Sequence, residues 1–300
     1  MTEERKQEIL EIIRNTNRRP VQTGKPLYPE EIMAYPNLCE EMESISRTVD
    51  GFSYRMDILR AKNRGENCPL FINIHGGGFI GPHRENDTYF SAYMADQIHG
   101  ITVDLDYTLS DAAPYPVALH QCMDALDYVA EHANTWGASA KDISVGGYSA
   151  GGALTAAMGI CCAERGGFVP KLQILCYPPL EYRIPDQYKI DAYDRQIGME
   201  RCKAFADLYF DDKKENFEDI HNSPLYAPRE ILAKQPKTLI LSAGLCNFRY
   251  EDEDYAICLA DAGAEVILKR FPEASHGFIP HFMDGWKEAA DLMVREILEK

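Results

Sequence analysis

Residues 146–152 read Gly-Gly-Tyr-Ser-Ala-Gly-Gly, with the frame Gly147-Tyr148-Ser149-Ala150-Gly151 inside them. The four residues before this stretch, Asp142-Ile143-Ser144-Val145, read as a short buried strand. Ala153-Leu154-Thr155-Ala156-Ala157-Met158 after it read as a helix. A serine between such elements sits on a sharp strand-to-helix turn that only small neighbours permit, and its hydroxyl is presented at the helix N-terminus as a candidate nucleophile. The frame alone decides little, because ordinary glycine and serine usage supplies one by chance in roughly one chain of this length in ten. Other residues must carry the reading.

Outward from this stretch the chain alternates strands and helices. Residues 43–49 and 53–60 form alternating polar and apolar segments around Asp50-Gly51, which predicts a tight hairpin. Strands are predicted at 70–74, 100–106, 142–146, 171–177, 237–243 and 265–271. Helices are predicted at 87–98, 114–131, 150–163, a stretch ending at Gly263, and 284–299. That rhythm implies an α/β fold, a mostly parallel sheet covered by helices on both faces, with the hairpin at one edge. Residues 181–222 break the rhythm. They are polar and aromatic, hold one predicted helix near 198–210, and lie between two strands. With an amphipathic helix at 5–14 and the proline-broken stretch that follows, residues 1–40 and 181–222 are expected to roof the strand ends as a cap on a single domain spanning 1–300.

Three hundred residues at 45% apolar composition build a sizeable core. A net charge of −16 excludes the basic footprint that nucleic acid or an acidic membrane surface requires. No apolar run reaches the length of a membrane span, and residues 1–14 lack the apolar core of a signal peptide, so a cytoplasmic protein is expected. The nine cysteines are odd in number and never spaced Cys-x-x-Cys, which reads as buried thiols in a reducing compartment rather than disulfides or a metal site.

Two further motifs fall at strand ends. His75-Gly76-Gly77-Gly78-Phe79 follows the strand at 70–74. A His before three glycines arises by chance in only about three chains per thousand, and three glycines after a strand let backbone N–H groups turn toward a developing oxyanion. Ser275-His276-Gly277-Phe278 lies in the loop after the last strand, at the same edge of the sheet, where open parallel sheets bind ligands.

With these motifs in place the chain resembles the hormone-sensitive lipase family of α/β hydrolases, in its bacterial acetyl esterase and carboxylesterase branch, over nearly its full length. The matching stretches are 75–81 (HGGGFIG), 106–109 (DYTL) with 114–116 (PYP), 146–152 (GGYSAGG), 223–227 (SPLYA), 243–245 (AGL) and 276–278 (HGF). The resemblance implies an α/β-hydrolase fold, Ser149 as nucleophile, His276 as general base, and Gly77, Gly78 and Ala150 as oxyanion donors. It implies no metal and no organic cofactor. The expected partner is a small-molecule ester, acetyl esters first, and the chain is open to homodimer formation.

One position departs from the family. Where the family pattern carries the triad aspartate, this chain reads Gly244-Leu245-Cys246-Asn247, and Cys246 stands at the acid position. The acid fixes the histidine tautomer, and its neutral replacement cost about 10⁴ in turnover in the trypsin case. Three readings stay open. Glu251 or Asp252, one turn on, reaches His276; Glu181 takes the place seen in pancreatic-type lipases; or Cys246, Asn247 or a water holds the imidazole. The gap also leaves a rival to a serine esterase, a ligand-binding or weakened homologue such as the plant gibberellin receptors, which resemble these esterases. Phe79, Tyr107, Tyr148, Tyr209 and Phe210 are candidates to line an acyl pocket, with Tyr148 expected to intrude on it.

Overall fold

The computed structural model describes residues 1–16, 28–184 and 197–299. Eight strands form one sheet: β1 (Glu43–Val49), β2 (Phe52–Arg60), β3 (Cys68–Ile74), β4 (Ile101–Asp106), β5 (Ala138–Tyr148), β6 (Leu172–Cys176), β7 (Lys237–Ala243) and β8 (Val266–Phe271). Their spatial order is β1-β2-β4-β3-β5-β6-β7-β8, antiparallel in the first two pairings and parallel from β4 onward. The hairpin turns on Asp50 and Gly51 with φ of 52° and 83°, the pair of positive angles that matches the twist of a two-residue connection.

The helices are α1 (Glu3–Asn15), α2 (Glu30–Met33), α3 (Glu85–Gln97), α4 (Val117–His132), α5 (Ala150–Arg165), α6 (Met199–Tyr209), α7 (Lys214–Glu218), α8 (Arg229–Leu232), α9 (Arg249–Ala262) and α10 (Trp286–Leu298). Successive strand residues point to opposite faces, and β3 shows it plainly. Leu70, Ile72 and Ile74 pack under α4 and α5, whereas Phe71 packs with Phe90 and Tyr93 of α3 and Met293 of α10. Strands buried on both faces read as continuous apolar runs, which is why 70–74 and 237–243 stood out in the sequence.

β3 lies between β4 and β5, so the chain leaves it toward one edge of the sheet and later returns on its other side. This is the topological switch point, and the loops after β3 and β5 flank the crevice it opens. Those loops carry the His-Gly-Gly-Gly and Gly-x-Ser-x-Gly motifs.

Several boundaries differ from the sequence reading. α4 starts at Val117 rather than at 114, because a residue before proline is driven out of the helical region and Tyr115 precedes Pro116. The described residues of the stretch 181–222 hold two helices, α6 and α7, where one was predicted, and residues 185–196 lie outside the described residues. Ile9 and Ile13 of α1 pack on Ala204 and Leu208 of α6, so the N-terminal helix and the insertion share an apolar seam. Among the described residues no helix is long and apolar enough to cross a membrane.

Candidate active site

Ser149 sits between β5 and α5 at φ 53°, ψ −118°. Few side chains adopt that conformation, which is held here because the Ser149 N–H donates to the Cys176 carbonyl at 2.9 Å. The flanking glycines are obligatory for a local reason. A Cβ at Gly151 would stand 2.0 Å from the Ile74 carbonyl oxygen, and one at Gly147 would stand 2.4 Å from the Gly151 backbone.

The loop after β3 runs directly against this turn. A Cβ at Gly76 would meet the Tyr148 carbonyl oxygen at 2.7 Å and the Ser149 Cβ at 3.4 Å. Its carbonyls are drawn away from the serine. His75 O accepts from the Tyr107 hydroxyl (3.2 Å), Gly76 O from His75 Nδ1 (2.8 Å), Gly77 O from Gly81 N–H (2.8 Å) and Phe79 O from the Ser110 N–H (2.8 Å) and hydroxyl (2.9 Å). Gly77 and Gly78 have φ of 116° and 63°. Their N–H groups, and that of Ala150 at the start of α5, donate to no protein acceptor among the described residues.

His276 arrives from the loop after β8. Its Nε2 lies 2.9 Å from Ser149 Oγ and its Nδ1 lies 3.0 Å from Cys246 Sγ. The loops after β7 and β8 are tied together by Gly244 N–H to Phe271 O (2.8 Å) and Leu245 N–H to Ala274 O (3.1 Å), which fixes Cys246 opposite the imidazole. The Tyr177 and Phe248 rings flank it at 5.0 and 5.6 Å between centroids. Burial, with a smaller contribution from His281, pushes the His276 imidazole down to about 3.

None of the three carboxylates considered as substitute acids is hydrogen-bonded to His276. Glu251 Oε2 accepts from the Leu180 and Glu181 N–H groups at 2.7 and 3.0 Å, and Glu181 Oε1 accepts from Ile184 N–H at 2.8 Å. Asp252 is fully buried beside Ser242, and burial raises its carboxyl well above the ordinary range. The first turn of α9 carries the two acids toward β7 and the loop after β6, not toward His276. Asn247 donates to Ile197 O and Cys202 Sγ at 3.5 and 3.6 Å. Of the candidates, the structure brings together Ser149, His276 and Cys246.

The aromatic candidates are core residues. Tyr148 is buried, edge-on to Phe90, so it does not enter a pocket; it points to the sheet face opposite Ser149's crevice neighbours in α5. Phe79 stacks on Tyr209 at 3.7 Å, and both are buried with Tyr107 and Phe210. The aromatic that sequence reading missed is Phe205 of α6, whose ring would lie 2.5 Å from a Cβ at Gly78. Only the packing of α6 reveals it. A cavity of about 530 Å³ lies elsewhere, beside Tyr28, Arg55, His83 and Thr88, and includes none of the three grouped residues. Among the described residues no cluster of His, Cys, Asp or Glu is arranged to hold a metal ion.

Comparison with known proteins follows this geometry. A family model described as alpha/beta hydrolase fold matches residues 71–280. The esterase LipI of Mycobacterium tuberculosis is 30% identical over 217 residues, covering 71% of this chain and 66% of LipI. The hormone-sensitive lipase of Bos taurus is 29% identical over 120 residues, 40% of this chain and 16% of that protein. The chain belongs to the hormone-sensitive lipase family of α/β hydrolases. It spans just under two thirds of the length of LipI. The solved structure of a hyperthermophilic esterase from Pyrobaculum calidifontis superposes with a TM-score of 0.81 at 24% identity, covering 99% of this α/β hydrolase and 98% of that chain, which shows a shared fold.

Proposed function

We propose that this α/β hydrolase is a serine carboxylesterase that cleaves small esters through an acyl-enzyme. The observation that carries the reading is the hydrogen-bonded line from Ser149 Oγ through His276 to Cys246, set beside glycine N–H groups with no protein partner among the described residues. Ser149 attacks the ester carbonyl while His276 Nε2 takes the hydroxyl proton and passes it to the leaving alcohol. The Gly77, Gly78 and Ala150 N–H groups receive the oxyanion, a role worth about 3–4 kcal/mol per donor in comparable sites. Water then repeats the sequence on the acyl group. The low affinity of buried His276 for protons supports a base that is neutral near pH 7.

The acyl group is proposed to be short, acetyl first. Phe205 stands against Gly78, beside the proposed oxyanion site, and restricts the room for a longer chain. In this reading α1 and α6 are parts of a cap over the crevice, and the nine cysteines, none paired with another, suit a reducing cytoplasm.

One observation favours a second reading. No carboxylate meets His276 Nδ1 among the described residues, as a binding homologue without turnover would allow. Hydrolysis of p-nitrophenyl acetate by the purified protein and by Ser149→Ala separates the two. The esterase reading expects turnover that falls at least about 10³-fold in Ser149→Ala. Turnover equal in both proteins would sink it in favour of binding.

A further inference from the structure

An aspartate beside a catalytic histidine can only accept a hydrogen bond, so the imidazole keeps its proton on Nδ1 and its Nε2 lone pair faces the serine. Cys246 lifts that constraint. A neutral thiol can donate its S–H to Nδ1, and the imidazole then carries its proton on Nε2, placing a donor where a base is needed. A thiolate can only accept, and it restores the useful tautomer. The group that orients His276 is therefore itself titratable.

The surroundings of Sγ fit an acceptor. The Phe248 N–H points at it from 3.4 Å and His276 Nδ1 lies at 3.0 Å. Cys246 also precedes the first turn of α9, a helix of 14 residues, and helix N-termini favour a thiolate. Among the described residues, the charged and titratable groups around it come from four elements. The loop after β8 supplies His276 and His281. The start of α9 supplies Arg249, whose guanidinium donates to Gly244 O at 2.9 Å, with Glu251 bound to the loop after β6 and Asp252, whose carboxyl burial pushes up. The loop after β6 supplies the buried Tyr177 phenol, and α6 supplies Cys202, reached through Asn247. Arg249 and the helix terminus favour negative sulfur; Glu251 and the burial of Cys246 oppose it.

We propose that Cys246 orients His276 as a thiolate, so that the site passes from an idle to a competent form as pH rises through titration of the Cys246–His276 pair. The proposal rests on the esterase reading of Ser149. On titration the pair releases one proton to solvent, the thiolate accepts from Nδ1–H, and the Nε2 lone pair faces the Ser149 hydroxyl. Attack moves that hydroxyl proton to Nε2, and the imidazolium forms against a thiolate in place of a carboxylate. No electron changes hands. A thiol sulfur accepts only weakly from Nδ1–H, so below the transition the favoured forms are a thiol donating to Nδ1 and a thiolate beside an imidazolium. Both carry a proton on Nε2, and both are idle. A cysteine that only fills space would leave the profile flat from about pH 5 to 9, because buried His276 does not titrate there.

The test compares wild type, Cys246→Ser and Cys246→Asp, with Ser149→Ala as the blank, using p-nitrophenyl acetate from about pH 5 to 10. In parallel, thiolate absorbance near 240 nm is read as the difference between wild type and Cys246→Ser; burial holds thiols such as Cys39 and Cys162 up at about 11. Wild-type kcat/KM is expected to rise about tenfold or more across the alkaline range, with the midpoint of the 240 nm change. Cys246→Ser should be flat and about tenfold or more lower at the plateau, and Cys246→Asp should move the rising limb at least about one unit toward acid. Superimposable profiles for wild type and the near-isosteric Cys246→Ser, or an absorbance midpoint that does not match activity, overturn the thiolate. Ser149-independent turnover at every pH overturns the esterase reading, and the proposal with it; Ser149-dependent turnover with a flat profile overturns the proposal alone.

Discussion

Ser149 holds a backbone conformation, φ 53° and ψ −118°, that is ordinary for glycine and strained for other residues. Such strain costs about 1–3 kcal/mol, whereas the extra freedom of glycine in the unfolded chain costs about 0.5–1 kcal/mol. Both Ser149→Gly and Ser149→Ala remove the hydroxyl, so their difference isolates the backbone. Ser149→Gly is expected to be about 1 kcal/mol more stable than Ser149→Ala in urea unfolding, with both inactive; equal midpoints would mean that the elbow stores no strain. At this scale the serine and histidine were legible because each stands in a motif at a strand end. Cys246 was legible as a gap, since counting from Gly244 placed it at the acid position. What filled the gap was not legible. Whether Glu251, Asp252 or Glu181 turns toward His276 depends on which backbone N–H groups compete for each carboxylate, and those come from residues 70 or more positions away in the case of Glu251.

Elements were read well where burial on both faces made apolar runs, as in β3 and β7, and poorly where the signal was polar. The helix α6 carries few apolar residues on its outer side and sits in a stretch without strand rhythm, so the sequence located it without revealing what it presents. Its seam with α1, Ile9 and Ile13 on Ala204 and Leu208, holds the helix so that Phe205 rests against Gly78. In the proposed esterase reading that placement, and not Tyr148, would bear on acyl length, because Tyr148 is packed into the core. Replacing Phe205 with Ala opens the space beside the proposed oxyanion site. The ratio of kcat/KM for p-nitrophenyl hexanoate over acetate is expected to rise about tenfold, the worth of one or two methylenes in an apolar pocket. An unchanged ratio would show that α6 does not limit the acyl chain.

Across the whole molecule the arrangement of buried and half-buried histidines sets how stability follows pH. His83 lies against buried Asp104 at 2.7 Å, and His221 lies between Asp219 and Glu164 at 2.7 and 2.9 Å. For His83 burial lowers proton affinity but the Asp104 charge outweighs it, raising the imidazole to about 9; for His221 the hydrogen bond to Asp219 leads and raises it to about 10. A histidine raised above its unfolded value of 6.5 stabilises the fold fully below that value, and the contribution is lost as pH rises through the folded value. His75 and His276 have the opposite sign, pushed down by burial to about 4 and about 3, so on their own they weaken the fold as pH falls below 6.5. In that acid window they are opposed by Asp87, raised to about 7 by burial, which holds a proton in the fold that the unfolded chain has released, and by Asp252, whose carboxyl burial also raises. On the acid side the contributions therefore oppose one another, whereas on the alkaline side His83 and His221 act with the same sign. Between pH 6.5 and 9 the folded chain keeps a proton on His83 and on His221 that the unfolded chain gives up, a loss on the order of 1.4 kcal/mol per proton for each pH unit. Calorimetry across this range should show Tm falling by several degrees, and His83→Gln should remove about half of the slope. A Tm that holds constant from pH 6.5 to 9, or a slope that His83→Gln leaves intact, would show that the Asp104 pair does not hold its proton through the fold.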